Sequence, residues 1–469
     1  MRDCPRAAVA VATPQADTLL PTSLWSSHWR PLTIGMLAVM TLVAFEGFAT
    51  STAMPLVAVD LQALDGYTWA FNAYVLASIV GMVGTGVWSD VTGPRGPLGV
   101  AVAVFAVGAV VCGLAPNLAV LVLGRGLQGL GGGGILVAVY VIIARAYPEA
   151  LRPRALLVLA AGWVLPSLIG PVVAGSLAET VGWRWVFLVV PVLVLPPTLL
   201  LLPRTRDLHR SGSVRDVRGR LTAAVIAAGG LLALQSGSAR LGPVGITGMV
   251  IGVALIVVAA RTLLPPGSLR LQRGLPTSVM MRGIVAAAFF SAEVFVPLAL
   301  VELRGASVTV AGLVLAVSGA SWMLGSYTQS RLPGSQDRAR LVRIGCAIVA
   351  IGIATVPLVV LLPVPVWTAA ASWWVASYGM GMVVPAVAVQ TMRLSPDADQ
   401  GRNSSALQLV DAVLVVVATA WLGIIHASAV RGSGTTPLTY SLIWWLAALV
   451  ALLGVFAAPR MRPAGDSAQ

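Results

Sequence analysis

Long apolar runs, each bounded by charge or by Pro and Gly, recur along the whole chain. A run of 18 or more apolar residues is long enough to cross the ~30 Å hydrocarbon core of a bilayer as a helix. Such runs predict spans near 32–54, 68–88, 97–115, 118–142, 155–178, 185–202, 221–238 and 246–264. Six more follow near 281–302, 309–327, 341–362, 366–391, 405–427 and 438–458. The pattern therefore predicts an all-α polytopic membrane protein with 14 transmembrane helices. The seventh and eighth runs are rich in Gly and Ala, and a chain without them would have twelve.

Composition agrees with a membrane solvent. Hydrophobic residues make up 58% of the 469 and charged residues 10%, against roughly 25% charged in a soluble domain. All 30 basic residues are Arg and none is Lys, so neither a P-loop nor Schiff-base chemistry is available. The arginines sit in short segments between apolar runs rather than on one folded face, which excludes nucleic acid as a partner despite the net charge of +13. Cys4, Cys112 and Cys346 lie far apart and read as packing residues, so no disulfide, metal or cofactor is expected.

Arginine placement sets the orientation. With a cytoplasmic N-terminus, the inner segments hold 25 Arg, the outer ones hold Arg184, Arg240, Arg304 and Arg431, and Arg125 lies within a span. This positive-inside bias predicts a multi-pass protein of the cell (plasma) membrane with both termini cytoplasmic. Segment 203–220, with six Arg and two Asp, reads as a cytoplasmic connection lying against anionic headgroups. The short Ala/Val run in the first 31 residues is too weak for a signal peptide, so the first strong run is expected to stay as a helix.

No loop is long enough to form a domain, so function must be built inside the bilayer. A charge there costs from about 2.5 to more than 10 kcal/mol, which makes Glu46, Arg125, Glu293 and Asp411 candidate functional residues. At 1.5 Å rise per residue, Glu46 and Arg125 each lie roughly 10 Å from the outer face and can share a depth. Glu293 lies about 18 Å and Asp411 about 9 Å from the cytoplasm. Glu46 and Arg125 read either as a static pair holding two helices together or as a proton carrier with its tuning charge, the balance shifting as water reaches the site from alternate sides.

Glycine patterns add constraints. Arg125-Gly126-Leu127-Gln128-Gly129 leads into Gly131–Gly134, a run that costs close to 1 kcal/mol per Gly in a helix and implies close helix approach. In the fifth span Gly162, Gly170, Pro171 and Gly175 combine small residues with a kink. Between spans two and three, Gly86-Val87-Trp88-Ser89-Asp90-Val91-Thr92-Gly93-Pro94-Arg95 forms a tight turn with one acid and one base.

In this order the segments resemble the major facilitator superfamily, and within it the fourteen-helix drug:proton antiporter branch. Gly86, Asp90, Gly93 and Arg95 resemble its conserved second-to-third-helix loop, with Pro94 in place of a usual basic residue. Leu123, Arg125, Gln128 and Gly129 resemble the fourth-helix motif linked to proton coupling. Gly162, Gly170, Pro171 and Gly175, followed by Trp183-Arg184-Trp185, Phe187 and Pro191, resemble the fifth-helix antiporter motif. Glu46, nine residues before Pro55, stands where the first-helix motif has Asp, and Ser51 where it has Asn. In the second half, Gly325 to Arg331 only faintly echoes the loop motif.

The resemblance implies a major facilitator fold of two six-helix bundles plus two inserted helices. Its parts would be a cytoplasmic segment 1–31, an N-terminal bundle 32–202, a basic loop with the inserted pair 203–278, a C-terminal bundle 279–458 and a tail 459–469. It further implies a monomeric, proton-coupled secondary transporter that exports amphipathic or hydrophobic small molecules by alternating access. Glu46, Arg125, Glu293 and Asp411 would serve coupling, and Phe45, Phe48, Trp163, Phe289, Trp322 and Tyr378 would line the cavity, each being equally open to a core or lipid-facing reading. An exporter of an endogenous lipid or secreted metabolite has the same needs. A polytopic membrane enzyme would need a His/Asp or paired-acid cluster, whereas His28, His209 and His426 are scattered.

Overall fold

A computed structural model describes residues 23–61, 68–206, 208, 216–238, 242–306, 308–332, 337–431 and 434–463. Among them every element is helical. The first six long helices are α1 (Arg30–Asp60), α2 (Thr68–Thr92), α3 (Arg95–Gly113), α4 (Leu118–Ala146), α5 (Arg152–Thr180) and α6 (Arg184–Leu201). A pair follows, α7 (Val217–Ser238) and α8 (Pro243–Leu263). The remainder comprises α9 (Leu275–Glu293), α10 (Phe295–Arg304), α11 (Val308–Arg331), α12 (Arg338–Thr355), α13 (Leu358–Leu361), α14 (Trp367–Leu394), α15 (Gln400–Arg431) and α16 (Pro437–Ala457).

Thirteen stretches among the described residues are long and apolar enough to cross a membrane. α9 with α10 forms one of them, Leu275–Arg304, and α12 with α13 another, Arg338–Leu361. The 29-residue α5 is a further helix of spanning length but is not one of the thirteen. Chemistry explains the interruptions. Pro297 has no N–H to offer the carbonyl of Glu293 four residues earlier, and the helix breaks at Val294. Pro357 stands in the same relation to Ile353 where α12 gives way to α13.

Local signals fix several ends. The Asn117 side chain accepts from Val120 N–H at 3.1 Å to start α4, and Thr436 caps α16 just ahead of Pro437. Gly93, with φ +84°, makes the turn into α3 that a side chain would strain. At the outgoing end of α1, the Asp60 carboxylate accepts from Trp183 Nε1 and Arg184 at 3.0 Å each. These bonds, Trp183's first, hold it below the usual carboxylate range.

The long helices pack in two groups. In the first, α4 packs on α2 and α3, and α1 on α5 and α6. In the second, α14 packs on α11 and α12, while α9 packs on α15 and α16. The groups meet along α2–α15 and α5–α11. α7 leans on both α2 and α15, and α8 is held mainly through α7. Some helices outrun their apolar runs: α15 begins at Gln400, before the predicted 405, because its first N–H groups find an acceptor in the other half.

Candidate functional site

Glu46, on α1, and Arg125, on α4, meet as an ion pair of 2.5 Å, with side chains 1% and 4% exposed. Glu46 Oε1 also accepts from Thr50 Oγ1, one helical turn on, at 2.8 Å. Arg125 donates to Gln128 Oε1 at 2.9 Å, and its guanidinium lies 4.5 Å from the Tyr74 ring centroid. Cys112 donates its thiol to the same Gln128 oxygen at 3.4 Å. One carboxylate oxygen, Glu46 Oε2, is buried with no partner, as are Arg125 Nε and Gln128 Nε2. An acid held by one oxygen and open at the other has a place for a proton without first breaking its ion pair.

The glycine run is what brings these groups together. A Cβ at Gly129 would lie 2.2 Å from the Tyr74 carbonyl oxygen, and one at Gly133 2.3 Å from that of Ser78. Hence α2 presses its backbone onto α4 and holds Tyr74 under Arg125. On α5, a Cβ at Gly162 would approach Leu37 and Thr41 to 3.3 Å, and one at Gly170 would approach Phe48 Cβ to 3.3 Å. Gly175 faces Thr52 at 3.8 Å, so this glycine face lies against α1. The Pro171 side chain lies outside the described residues, as do those of Ser51 and Pro55.

A second polar assembly joins the two halves at the end of the bundle that carries most of the arginines. Asp90, near the end of α2, accepts from the backbone N–H groups of Gly401 at 2.6 Å and Arg402 at 2.8 Å. These are orphan donors at the start of α15, where a carboxylate meets both the N–H groups and the positive end of the helix dipole. Arg145 of α4 completes the assembly, donating to Asp90 at 2.8 Å and to the Ser89 carbonyl at 3.0 Å. Gly86 permits the contact, since a Cβ there would sit 2.6 Å from the Gly401 carbonyl oxygen. Nearby, Arg393 of α14 faces Glu149, in the α4–α5 connection, at 3.6 Å. Among the described residues, the hydrogen bonds and ion pairs between the halves all lie at this end.

Arg95 is exposed on the first turn of α3, and the basic partner of Asp90 is Arg145. Arg145 closes the fourth apolar run and reads in sequence as one more positive-inside residue; only its proximity to Asp90 distinguishes it.

In the second half, Asp411 Oδ2 accepts from Arg282 Nε at 2.9 Å and from its terminal nitrogen at 2.5 Å. Sequence reading missed Arg282 because it sits at the edge of an apolar run. Glu293 is at the α9–α10 break, beside the indole of Trp373. Phe289, one turn earlier, stacks on Trp373 at 4.6 Å and meets Trp322 edge-on at 5.9 Å.

The six aromatic candidates differ in burial and partners. Phe289 is only 1% exposed and backs the cluster, whereas Trp322 is half-buried at its side. Tyr378 donates to Thr328 Oγ1 at 3.1 Å, Phe45 and Phe48 are half-buried on α1, and Trp163 is 44% exposed on α5. Cys112 and Cys346 are buried and free, and Cys4 lies outside the described residues.

Paired helical halves around buried charges are the architecture of a multi-pass membrane carrier. The family model of the Major Facilitator Superfamily matches residues 36–419, and the chain belongs to that superfamily of transporters. An uncharacterised MFS-type transporter of Mycobacterium tuberculosis is 31% identical over 65% of this chain and 47% of its own length. Multidrug resistance protein 3 of Bacillus subtilis is 25% identical over 64% of this chain and 60% of its own. Fission-yeast transporters match only 26% of their own length, so the chain aligns with about a quarter to a half of the first relatives it matches.

Solved structures show the same fold. The human organic anion transporter TETRAN has a TM-score of 0.70 at 14% identity, covering 92% of this chain and 99% of its own. A proton:xylose symporter has a TM-score of 0.66 at 17% identity, covering 93% and 96%.

Proposed function

We infer that this transporter exports amphipathic or hydrophobic small molecules in exchange for protons, by alternating access, in the manner of the fourteen-helix drug:proton antiporter branch. The observation that carries the reading is the Glu46–Arg125–Gln128 centre, a buried acid with one oxygen free. The similarity to a protein named for multidrug resistance supports the cargo class. The two halves rock about the centre. With the basic end bonded shut, Glu46 takes a proton from outside; when that end opens, Arg125 draws the proton off again, toward the cytoplasm. One charge moving through 100 mV is worth about 2.3 kcal/mol and each pH unit about 1.4 kcal/mol, so one proton per cycle supports modest accumulation.

The same reading gives α5 and the thirteen apolar stretches as fourteen spans, with both termini cytoplasmic in a plasma-membrane monomer whose partners are small molecules, protons and lipid. A cysteine introduced near Pro243 should react with an impermeant thiol reagent from outside the cell. Reaction only from inside would remove the α7–α8 pair from the span count.

Transport into proteoliposomes under an imposed pH gradient, screened over cationic dyes, antibiotics and lipids, tests the function itself. Glu293→Gln divides two roles in that assay. Loss confined to cationic cargo makes Glu293 a counter-ion beside the Trp373 indole, and loss for every cargo makes it a second proton carrier.

A further inference from the structure

The α7–α8 pair leaves a gap where it meets the second half. α8 packs mainly on α7, and between α8 and the α9–α15 face lies a cavity of about 150 Å³. Its walls are wholly apolar, built from Ala227 of α7, Val257 and Ala260 of α8, Met280 of α9, Val413 of α15 and Leu269 of the connecting loop. The cavity is partly open, and so apolar a lining takes an apolar guest. None of its walls comes from α1 or α4, so it is separate from the Glu46 centre.

The segment that supplies α7, α8 and the connecting loop is one-sided in charge, and Asp411 of α15 is taken up by Arg282. Between Asp216 and Glu293 the sequence has no acid, yet it carries Arg218, Arg220, Arg240, Arg261, Arg270, Arg273 and Arg282. Arg261 lies one turn beyond Val257 on the same strip of α8, and Arg270 is bonded in sequence to the wall residue Leu269. Arg261, Arg270 and Arg273 are exposed and, among the described residues, have no acid partner. Two turns before Ala227 on α7, Arg220 is a buried residue, 7% exposed, with Nε and one terminal nitrogen buried and unpartnered.

We propose that this gap is a binding site for an anionic glycerophospholipid of the arginine-facing leaflet. One acyl chain fills the space between α8 and α15, and the phosphodiester rests among Arg261, Arg270 and Arg273. The lipid then serves as the packing that α8 lacks against the second half. Apolar contact supplies binding common to all phospholipids, and the arginines supply the choice of an anionic one, at roughly fivefold per residue.

Native mass spectrometry of the purified full chain, titrated in neutral detergent with phosphatidylglycerol or phosphatidylcholine, tests this. The wild type should retain one phosphatidylglycerol with at least about a tenfold preference over phosphatidylcholine. Combined Arg261→Gln, Arg270→Gln and Arg273→Gln exchange should erase the preference while leaving phosphatidylcholine retention unchanged. Ala260→Trp, which fills the gap, should remove both lipids. Arg340→Gln with Arg343→Gln, in a basic pocket beside Pro459, should leave the preference intact.

Equal retention of the two lipids by wild type would overturn the proposal. So would undiminished phosphatidylglycerol retention in the triple variant or in Ala260→Trp, or a preference lost equally in the Arg340/Arg343 control. Displacement of the lipid by millimolar inorganic phosphate would overturn it as well, by reducing the site to an anion site.

Discussion

Glu46→Gln should abolish uphill transport driven by a pH gradient while leaving downhill exchange of substrate in place. The amide keeps an oxygen for Arg125 and Thr50, which now bond at 2.5 and 2.8 Å, so the architecture has a means of surviving. What disappears is the second oxygen's capacity to hold a proton. Arg125 is left without its counter-charge, and removing one partner of a buried pair costs about 3–5 kcal/mol in general. Here Gln128 and the Tyr74 ring remain to hold the guanidinium, so the folded protein should still be recovered by gel filtration.

Arg125→Ala should fail at the opposite step. A carboxylate buried without its cation keeps its proton, so loading survives and release does not. Both variants stop accumulation, and only Arg125→Ala should leave Glu46 reactive toward a hydrophobic carbodiimide at neutral pH. Full gradient-driven accumulation by Glu46→Gln would remove this residue from the proton path and leave Glu293 or Asp411 to carry it.

Much of that centre is legible in the sequence. Apolar run length gives the helices, and counting 1.5 Å per residue puts Glu46 and Arg125 at one depth. The glycine run announces close approach, and the carbonyls of Tyr74 and Ser78 are what it approaches. The rest depends on partners far apart in sequence. Arg282 and Asp411 are 129 residues apart, and Arg145 reaches Asp90 across 55. Both arginines lie at the edges of apolar runs, where hydropathy treats any Arg alike. The aromatic candidates depend on packing in the same way: composition marks Phe289 as a large ring, and packing shows it sealed under Trp373. The N-terminal turn of α15 was hidden because Gln400-Gly-Arg-Asn-Ser-Ser is polar, and its helicity rests on an acceptor supplied by α2.

That acceptor gives the second large effect. Asp90→Asn should weaken the closed state of the arginine-rich end and slow the transport cycle, with substrate affinity little changed because the residue is remote from Glu46 and Glu293. The carboxylate takes bonds from Gly401, Arg402 and Arg145, each of them charge-assisted on one side or both. An asparagine offers one acceptor oxygen, turns an N–H toward donors, and loses the attraction of the helix terminus. Forfeiting even one bond to a charged group, about 1.5–3 kcal/mol, shifts a two-state balance roughly ten- to hundredfold toward opening. Spin labels at the exposed Thr92 and Arg340 should report a growing long-distance population.

Gly401→Val supplies the steric counterpart. Its Cβ would lie 2.2 Å from the Gly86 carbonyl oxygen, so α2 and α15 cannot close even with Asp90 intact. The valine variant should therefore lose more transport than the asparagine one and show the same long-distance population. If Asp90→Asn left both the label distances and the turnover unchanged, the contact would be a consequence of closure rather than a cause of it, and the basic end would be held by packing between α2 and α15 alone.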